Sequence, residues 1–202
     1  MNFQHTRLTT TAYTPAQLPK SSLKEIPIFG RSNAGKSSLL NDLCQNKKLA
    51  KSSSTPGKTA SINFFSVEDR CFLVDFPGYG YAKVNNTMSS LWKKNIALYF
   101  KTARNIAFVL LLVDIRRTLK EEEWWILEWA ARNKFPVLMI FSKADKIAKT
   151  KQQRTCTPTI EQIKTHLPLC DISYMCYSTH HKQDKLLLAK QIIEKLNGNS
   201  TS

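Results

Sequence analysis

The sequence contains no long apolar run. No window approaches the roughly 18 consecutive apolar residues that a membrane-spanning helix needs. The segment from Met1 to Lys20 is mixed and threonine-rich, and it lacks the apolar core of a signal peptide. It shows no lipidation motif, and no segment reads as an amphipathic helix with an exposed apolar face. We therefore expect a cytoplasmic protein that does not bind membranes.

Cysteines in a C-x-x-C spacing are also absent. The chain has five cysteines, at positions 44, 71, 156, 170 and 176. An odd number of cysteines in a chain without an export signal indicates reduced thiols rather than structural disulfides.

Acidic residues are scarce. The chain has 15 Asp and Glu against 30 Lys and Arg, which gives a net charge of +15 and a pI near 9.7. Such a charge attracts polyanions, because neutralised phosphates release their condensed counterions. Solubility through like-charge repulsion is the alternative explanation. We favour a nucleic acid or ribonucleoprotein partner, since a nucleotide would occupy only one or two of these cations.

Length and composition predict one domain. With 202 residues and 42% hydrophobic content, the chain can bury a core that needs no disulfide or metal for stability. We expect a single domain over residues 24–197, with a flexible N-terminal extension (1–23), a disordered tail (198–202) and a monomeric state.

Apolar runs and amphipathic segments alternate along the chain. Strands are predicted at Ile26–Phe29, Ser61–Val67, Cys71–Asp75, Ala107–Val113, Val137–Phe141 and Ile172–Tyr177. Helices are predicted at Lys36–Cys44, at Met88–Arg104, from the capping box Thr118-x-x-Glu121 to about Asn133, from Thr157-Pro158 onward, and at Lys185–Leu196. This alternation indicates a three-layer α/β domain with a mostly parallel sheet of about six strands, which binds its ligand at the carboxyl ends of the strands.

Two of these elements carry further expectations. Because proline removes a donor from the ladder, the first strand should start at or just after Pro27. The predicted helix Met88–Arg104 has basic residues among its polar positions, and this basic face is a candidate contact surface; the residues are Lys93, Lys94, Lys101 and Arg104.

The octet G-R-S-N-A-G-K-S, residues 30–37, has the pattern of a phosphate-binding P-loop. Its glycines let backbone N–H groups surround phosphate oxygens, Lys36 adds a positive charge, and the Ser37 hydroxyl can ligate Mg²⁺. A flexible strand–helix turn is the structural alternative. The apolar run before the octet and the helix-forming run after it favour the P-loop.

Two further motifs follow predicted strands. In D-F-P-G, residues 75–78, Asp75 can hold Mg²⁺ through water and the Gly78 N–H can approach a γ-phosphate. A tight turn is the alternative, and it is compatible with phosphate sensing. In S-K-A-D, residues 142–145, the Asp145 carboxylate can accept hydrogen bonds from the N1–H and amine of guanine, where adenine presents an acceptor. Taken alone this is an ordinary helix start, but its spacing from the other motifs favours guanine recognition.

Together with S-S-T-P-G-K-T and D-F-P-G-Y-G-Y-A, these motifs closely resemble the EngB/YsxC (YihA) ribosome-biogenesis GTPases, a bacterial branch of the translation-factor-related P-loop GTPases. The resemblance spans residues 24–196 and implies a Ras-like GTPase fold. It also implies binding of GTP and GDP with Mg²⁺, a role in assembly of the large ribosomal subunit and a link to septation and cell division.

The resemblance assigns residues to the nucleotide. Those implied to bind GTP are Gly30, Arg31, Ser32, Asn33, Ala34, Gly35, Lys36, Ser37, Gly57, Lys58, Thr59, Ala60, Ser61, Asp75, Phe76, Pro77, Gly78, Ser142, Lys143, Ala144, Asp145, Tyr177, Ser178 and Thr179. Ser37 and Thr59 would ligate Mg²⁺, with Asp75 acting through water.

Two positions depart from the family pattern. The guanine motif usually starts with Asn or Thr, whereas this chain has Ser142, which retains a hydroxyl. The last loop reads Tyr177-Ser178-Thr179 where many relatives carry two serines. The Lys143 stem is expected to lie along the base, with its ammonium near P-loop carbonyls.

The catalytic group is not identified by sequence. Tyr79 follows D-F-P-G, where Ras-like enzymes carry the glutamine that orients the attacking water. We therefore expect slow intrinsic hydrolysis. Asn33 resembles the P-loop asparagine of relatives that use K⁺, so stimulation by K⁺ is one hypothesis and positioning by the ribosome is the other.

Two functions from different classes remain open. The first is a GTP-controlled assembly switch that orders residues 47–58 and 76–84. The second is a constitutive basic RNA-binding protein with a structural nucleotide site. An ATPase or kinase on the same fold is disfavoured by Asp145.

Overall fold

The structure, a computed structural model, describes residues 1–50, 61–80, 96–100 and 104–198. Its strands are β1 (Thr6–Ala12), β2 (Lys24–Gly30), β3 (Ile62–Val67), β4 (Cys71–Asp75), β5 (Val109–Asp114), β6 (Val137–Ser142) and β7 (Ile172–Tyr177). Its longer helices are α1 (Lys36–Leu43), α2 (Glu121–Arg132), α3 (Lys149–His166) and α4 (Lys182–Leu196). Residues 96–100 are also helical.

One sheet contains these strands in the order β1-β3-β4-β2-β5-β6-β7. The strands β4, β2, β5, β6 and β7 run parallel, while β3 pairs antiparallel with both β1 and β4. Every residue of β5 and β6 is buried, as expected for parallel strands covered by helices on both faces. The predicted α/β class is confirmed, with one strand more than expected.

The core has two halves, one on each face of the sheet. Alternate residues of β5 point to opposite faces, so that Val109 joins one half and Leu110 the other. Helices α2 and α3 cover the first face, and α1 and α4 cover the second. The predicted three layers are therefore present, and both ends of the central strands are left for loops.

The additional strand is β1, and it lies in the segment predicted to be a flexible extension. It pairs antiparallel with β3 from Thr6 opposite Val67 to Ala12 opposite Ile62. The Thr9 hydroxyl donates to the Phe64 carbonyl over 2.9 Å. Residues 6–12 are therefore part of the sheet rather than of a flexible extension as predicted. The strand was missed because only Thr6 and Ala12 are buried in it, so it carries little apolar periodicity.

Pro27 lies in the middle of β2 and pairs with Val74, so the strand does not start at or after it as predicted. The β5 side of β2 is interrupted at this point. Glu25 bridges Ile106 whereas Ile28 pairs with Leu110, which leaves one extra residue opposite β2. The backbone N–H and C=O of Glu25 both form hydrogen bonds on the β5 side of β2, so the backbone nitrogen of Pro27, two residues later, faces the same side. The missing amide donor therefore falls at an irregularity where no regular ladder bond is lost.

Two predicted helix starts differ from the structure. Helix α2 begins at Glu121, and the Glu123 carboxylate accepts a hydrogen bond of 2.8 Å from the Lys120 amide, so Thr118 is not the cap. Helix α3 begins at Lys149 and contains Pro158. Its first turns were missed because all six residues 149–154 are polar, while a proline normally indicates a first turn.

The predicted helix Met88–Arg104 is described only at residues 96–100 and at Arg104, so Lys93, Lys94 and Lys101 lie outside the described residues. Arg104 does not contribute to a basic face. Its guanidinium pairs with Glu25, which is fully buried and also accepts from the Tyr99 hydroxyl at 2.5 Å. The buried Glu25 carboxylate draws the Arg104 guanidinium inward, since an unpaired carboxylate in the core would cost free energy.

Candidate nucleotide-binding site

The loop between β2 and α1 has the backbone of an anion cradle. Asn33 and Gly35 both adopt positive φ values, 66° and 92°, and Gly35 caps α1. A Cβ on Gly30 would lie 3.1 Å from the Leu112 Cβ, so the close packing of β2 against β5 favours glycine there. Because α1 starts at Lys36, its free N–H groups and positive dipole end face this loop.

Lys36 forms an ion pair with Asp75 across the site. Asp75 ends β4, which neighbours β2 in the sheet, and its Oδ1 accepts a hydrogen bond from Lys36 Nζ. Both side chains are largely buried, at 9% and 8% exposure. Two of the predicted motifs are thus brought into direct contact at the carboxyl ends of neighbouring strands.

Residues 76–80 lie against the P-loop. The Ser32 amide donates to the Tyr79 carbonyl over 2.7 Å, and Arg31 and Tyr79 form an isolated parallel bridge. A Cβ on Gly78 would lie 3.1 Å from Ser32 Oγ and 3.2 Å from its amide nitrogen, so glycine permits this approach. Phe76 belongs to the core and stacks on Phe29 at 4.5 Å, so its side chain does not face the loop.

Tyr79 is buried beside the acidic start of α2. Burial and the neighbouring Glu123 raise the pKa of the Tyr79 hydroxyl well above 10. Burial likewise raises the pKa of the Glu123 carboxyl. Arg31 lies 3.3 Å from Glu122 and so connects the P-loop to α2. Tyr79 remains protonated at neutral pH and packs in the core, as expected of a residue that is not a general base.

The S-K-A-D motif follows β6 and contacts the P-loop. Ser142 Oγ donates to the Ala34 carbonyl over 2.6 Å. Lys143 has a positive φ of 57°, and its Nζ lies 3.1 Å from Asp114 Oδ2. The Lys143 ammonium is thus paired with a carboxylate, whereas the sequence predicted contact with P-loop carbonyls. Hydrogen bonds from Arg116, and further contacts with Lys143, hold the pKa of the Asp114 carboxyl well below its usual range.

The last loop contacts the guanine motif through Ser178. Its Oγ donates to Asp145 Oδ1 over 2.8 Å, and this bond lowers the pKa of the Asp145 carboxyl. The Ser178 amide in turn donates to Asp184 of α4 over 2.9 Å. Tyr177 differs from expectation, because its side chain is buried and its hydroxyl donates to Asp42 of α1. Thr179 is exposed next to Ser178.

Part of the predicted switch I end lies outside the described residues. These positions are Gly57, Lys58, Thr59 and Ala60. Ser61 is described and is half-buried directly before β3. Strand β3 starts beside the end of β4, since Asn63 pairs with Asp75, and Ser61 therefore lies at the same edge of the sheet as Asp75.

Comparisons with known proteins identify the family. Residues 25–143 match the family model described as 50S ribosome-binding GTPase. A probable GTP-binding protein EngB of Haemophilus ducreyi is 41% identical over 183 residues, which cover 90% of this chain and 86% of the relative. This chain belongs to the EngB family of GTPases.

Further comparisons agree with the EngB assignment. The probable GTP-binding protein EngB of Caldanaerobacter subterraneus subsp. tengcongensis is 37% identical over 188 residues, covering 92% of this chain and 95% of the relative. A crystal structure of a probable GTP-binding protein EngB has a TM-score of 0.68 at 20% identity, covers 86% of this chain and 99% of that chain, and supports the fold. As an EngB-family member, the protein binds guanine nucleotides and is a GTPase.

The EngB site contains donors that suit Mg²⁺. Mg²⁺ prefers hard oxygen ligands and keeps several waters, and the site offers the Ser37 hydroxyl at the start of α1 and the Asp75 carboxylate. Ser32 Oγ is buried and has no hydrogen-bond partner within the described part of the chain, so a polar group remains to be satisfied beside residues 76–80. These oxygen ligands would suit a hydrated Mg²⁺ that is also bound by phosphate oxygens.

Sequence reasoning on this EngB chain missed residues that support the site. Asp114 pairs with Lys143, and Asp184 accepts from the Ser178 amide. The only signal for Asp114 was its position at the carboxyl end of a buried strand. Asp184 lies in a region without a motif, so its role depends on the fold.

Among the helices of residues 1–50, 61–80, 96–100 and 104–198, none has the length and apolar character that a membrane span requires.

Proposed function

We propose that this EngB-family GTPase is a nucleotide-controlled switch in assembly of the large ribosomal subunit, and that it is needed for normal septation. The contact of Lys36 with Asp75 carries the proposal, because it joins the phosphate-binding loop to the segment that would sense the γ-phosphate. The description of the matching family as 50S ribosome-binding GTPase and the net charge of +15 support a ribosomal partner. We expect the protein to act as a cytoplasmic monomer.

The phosphate end of the nucleotide is assigned to the P-loop and the strand ends beside it. We propose that backbone amides of residues 30–37 and the Lys36 ammonium hold the phosphates. Residues 57–61 and 75–78 would contact the outer phosphates, with Phe76 contributing backbone only because its side chain is in the core. Ser37 and Thr59 would ligate Mg²⁺ and Asp75 would bind it through water; the ion supplies charge neutralisation of the phosphates.

The guanine end is assigned to the two loops after β6 and β7. Asp145 would accept from the guanine N1–H and amine, and Ser178 orients the Asp145 carboxylate by donating to one of its oxygens. Asp114 fixes the position of the Lys143 ammonium, and thereby the stem that would lie along the base. Ala144 is buried beside them, and Tyr177 supports the loop from within the core.

The switch itself is proposed to be the packing of residues 76–80 on the P-loop. The bond from the Ser32 amide to the Tyr79 carbonyl and the close approach of Gly78 to Ser32 support this proposal, because a γ-phosphate bound by the P-loop would alter both contacts. Binding of GTP rather than GDP would therefore change the position of residues 76–84 and, with them, the affinity for a ribosomal particle.

Hydrolysis is proposed to be slow in the isolated protein. Tyr79 is buried at the glutamine position and has a raised hydroxyl pKa, so it neither orients water as an amide does nor acts as a base. We propose that K⁺ near Asn33 stimulates the reaction. Equal hydrolysis rates in potassium and sodium buffers, measured with and without ribosomal particles, would contradict this role for K⁺.

Co-sedimentation with isolated ribosomal subunits tests the proposed function. The full chain is mixed with each subunit in GDP or a non-hydrolysable GTP analogue, at low and physiological salt. We expect binding to the large subunit that resists salt only with the analogue. Lys36→Ala should abolish nucleotide binding and this nucleotide dependence, whereas Lys149→Ala, an exposed change at the start of α3, should behave as wild type.

Two outcomes would favour the other candidates. Equal binding in both nucleotide states that disappears with salt, and that Lys36→Ala leaves unchanged, would indicate a constitutive basic RNA-binding protein with a structural nucleotide site. Displacement of bound GDP by ADP at similar concentrations would contradict guanine selection by Asp145 and indicate an ATPase or kinase.

A further inference from the structure

Two cysteines meet between helix α3 and strand β7. Cys156 of α3 and Cys176 of β7 are 20 positions apart in sequence, and their Sγ atoms lie 3.6 Å apart. A disulfide needs an S–S distance of about 2.05 Å, so a shift of about 1.5 Å, shared between a helix and an edge strand, would form the bond. Cys156 is fully buried, whereas Cys176 is half-buried and therefore the more accessible of the two.

The two thiols differ in reactivity. The contact with Cys156 lowers the pKa of the Cys176 thiol, while the same contact and burial raise the pKa of the Cys156 thiol. Burial raises the pKa values of the thiols of Cys44, Cys71 and Cys170 to about 11. Since the thiolate is the reactive form, Cys176 is the position in this chain where an oxidant would react first.

We propose that Cys156 and Cys176 are a redox modification site, which forms a reversible disulfide on exposure to a peroxide and thereby weakens guanine-nucleotide binding. The Cys176 thiolate attacks the peroxide oxygen, the O–O bond breaks, and Cys176 becomes a sulfenic acid while hydroxide leaves and is protonated to water. The Cys156 thiol then attacks the sulfenic sulfur, which forms the S–S bond and releases a second water. Two thiols are thus oxidised by two electrons, and the peroxide is reduced.

The bond would act on the guanine end of the site because both cysteines connect to Asp145. Cys176 is two residues before Ser178, whose hydroxyl holds Asp145 over 2.8 Å. On the other side, Gln152 lies one helical turn before Cys156, and its amide donates to the Ala144 carbonyl over 2.8 Å. Drawing α3 and β7 together would therefore shift the loops on both sides of the Asp145 carboxylate. This step rests on the proposed role of Asp145 in reading guanine.

The site is consistent with reduced thiols in the resting protein. The half-buried Cys176 suits the role of the attacking cysteine, and Cys156, whose Sγ lies 3.6 Å away, suits that of the resolving cysteine. Reduction by a dithiol would restore both thiols. In the cytoplasm, where we expect the protein to act, such a disulfide would be transient and regulatory rather than structural.

The experiment treats the full chain with hydrogen peroxide, alkylates free thiols and maps cross-linked peptides by mass spectrometry, with GDP affinity measured on the same samples. We expect a Cys156–Cys176 cross-link, weaker GDP binding by about tenfold, as for loss of one hydrogen bond to a charged group, and recovery of both after dithiothreitol. Cys170→Ser is the matched control, since this cysteine is also buried near α3 but has no thiol partner among the described residues, and it should respond as wild type.

Two variants separate the disulfide from other oxidation. Cys156→Ala should leave Cys176 oxidised but uncross-linked, with GDP affinity kept; Cys176→Ser, at the half-buried position, should show neither change. Circular dichroism establishes whether each variant is folded. If Cys156→Ala does not fold, the result for Cys176→Ser decides between the disulfide and other oxidation.

The outcomes distinguish the two proposals. Absence of the cross-link in oxidised wild type would overturn the modification site. A cross-link without loss of GDP affinity would overturn its effect on the nucleotide. If reduced wild type fails to bind GDP, the proposed function falls, and the cross-link alone then decides whether the modification site exists.

Discussion

Ser142 Oγ donates a hydrogen bond of 2.6 Å to the carbonyl oxygen of Ala34, a residue 108 positions earlier in the chain. The bond joins the end of β6, where the guanine motif starts, to the P-loop that precedes α1. A second, weaker contact to the Val113 carbonyl at 3.3 Å ties the same hydroxyl to β5. A buried hydroxyl therefore connects the two segments that are proposed to hold opposite ends of the nucleotide.

Replacing Ser142 by alanine should weaken GDP binding. The Ala34 carbonyl would lose its buried donor, and the net value of such a bond is about 1 kcal/mol, or about fivefold in affinity. Isothermal titration with GDP measures the change. Ser142→Thr should keep most of the affinity, because it keeps the hydroxyl. Ser173→Ala is the control, since its hydroxyl donates over 3.4 Å and lies away from the P-loop; equal losses in both alanine variants would contradict the prediction.

The Lys36–Asp75 pair should show strong coupling in protein stability. Both side chains are largely buried, so Lys36→Met leaves an uncompensated carboxylate and should lower the free energy of unfolding by about 3 kcal/mol. The double variant Lys36→Met/Asp75→Leu should regain most of this loss, because no buried charge is left. Urea unfolding in EDTA without nucleotide measures the cycle and removes stabilisation by ligand. Additive losses from the two single variants would contradict the coupling.

Asp114 should make stability depend on acid pH. Because Arg116 and Lys143 lower the pKa of its carboxyl in the folded state, Asp114 adds stability above the unfolded pKa of about 4, and this stability is lost as the pH falls toward the folded pKa. Asp114→Asn should cost about 2 kcal/mol at neutral pH, typical of hydrogen bonds to a charged group. The difference between variant and wild type should shrink below about pH 4.

Denaturant unfolding from neutral to acid pH measures the effect of Asp114. Asp171→Asn, at an exposed position before β7, is the matched control and should show no such trend. A constant difference between Asp114→Asn and wild type across the whole pH range would refute the electrostatic explanation.

Loss of Arg104 should destabilise the fold without touching the nucleotide site directly. Glu25 is fully buried, and Arg104→Met would leave it without its cation, which typically costs about 3–5 kcal/mol. Arg132→Met is the control, because Arg132 is 80% exposed and lies 3.8 Å from Glu128. Thermal and urea unfolding compare the two variants, and a similar small change in both would show that the buried pair contributes little.

The elements predicted well from sequence are those with continuous apolar runs between clear turn residues. Cys71–Asp75 and Ile172–Tyr177 were predicted with the observed boundaries. In contrast β1 is threonine-rich and buried only at Thr6 and Ala12, with Leu8 half exposed, so it lacks the alternation that identifies a half-buried strand. Pro27 misled the prediction because the fold places it at an irregularity in the pairing of β2 with β5, where a missing amide donor is tolerated, and this depends on neighbours distant in sequence. Pro158 misled it because this proline lies inside α3 rather than in its first turn.

The site was predictable as a set of motifs but not as a set of contacts. Alternation of strands and helices indicates that Lys36, Asp75 and Asp145 share one edge of the sheet, since parallel strands end there together. Spacing does not reveal that Tyr177 turns toward Asp42 or that Lys143 pairs with Asp114. Those choices depend on which side chains the packed strands bring within reach.

The order of the strands along the chain also sets the sequence in which a growing chain acquires its properties. The P-loop and Asp75 are made early, on strands at the centre of the sheet, whereas Ser178 follows β7, the edge strand that is synthesised last. A nascent chain, which emerges with its N-terminus first, therefore contains the P-loop long before the Ser178 hydroxyl that donates to Asp145. With Asp145 reading guanine as proposed, discrimination between guanine and other bases would be gained late in the synthesis of this protein.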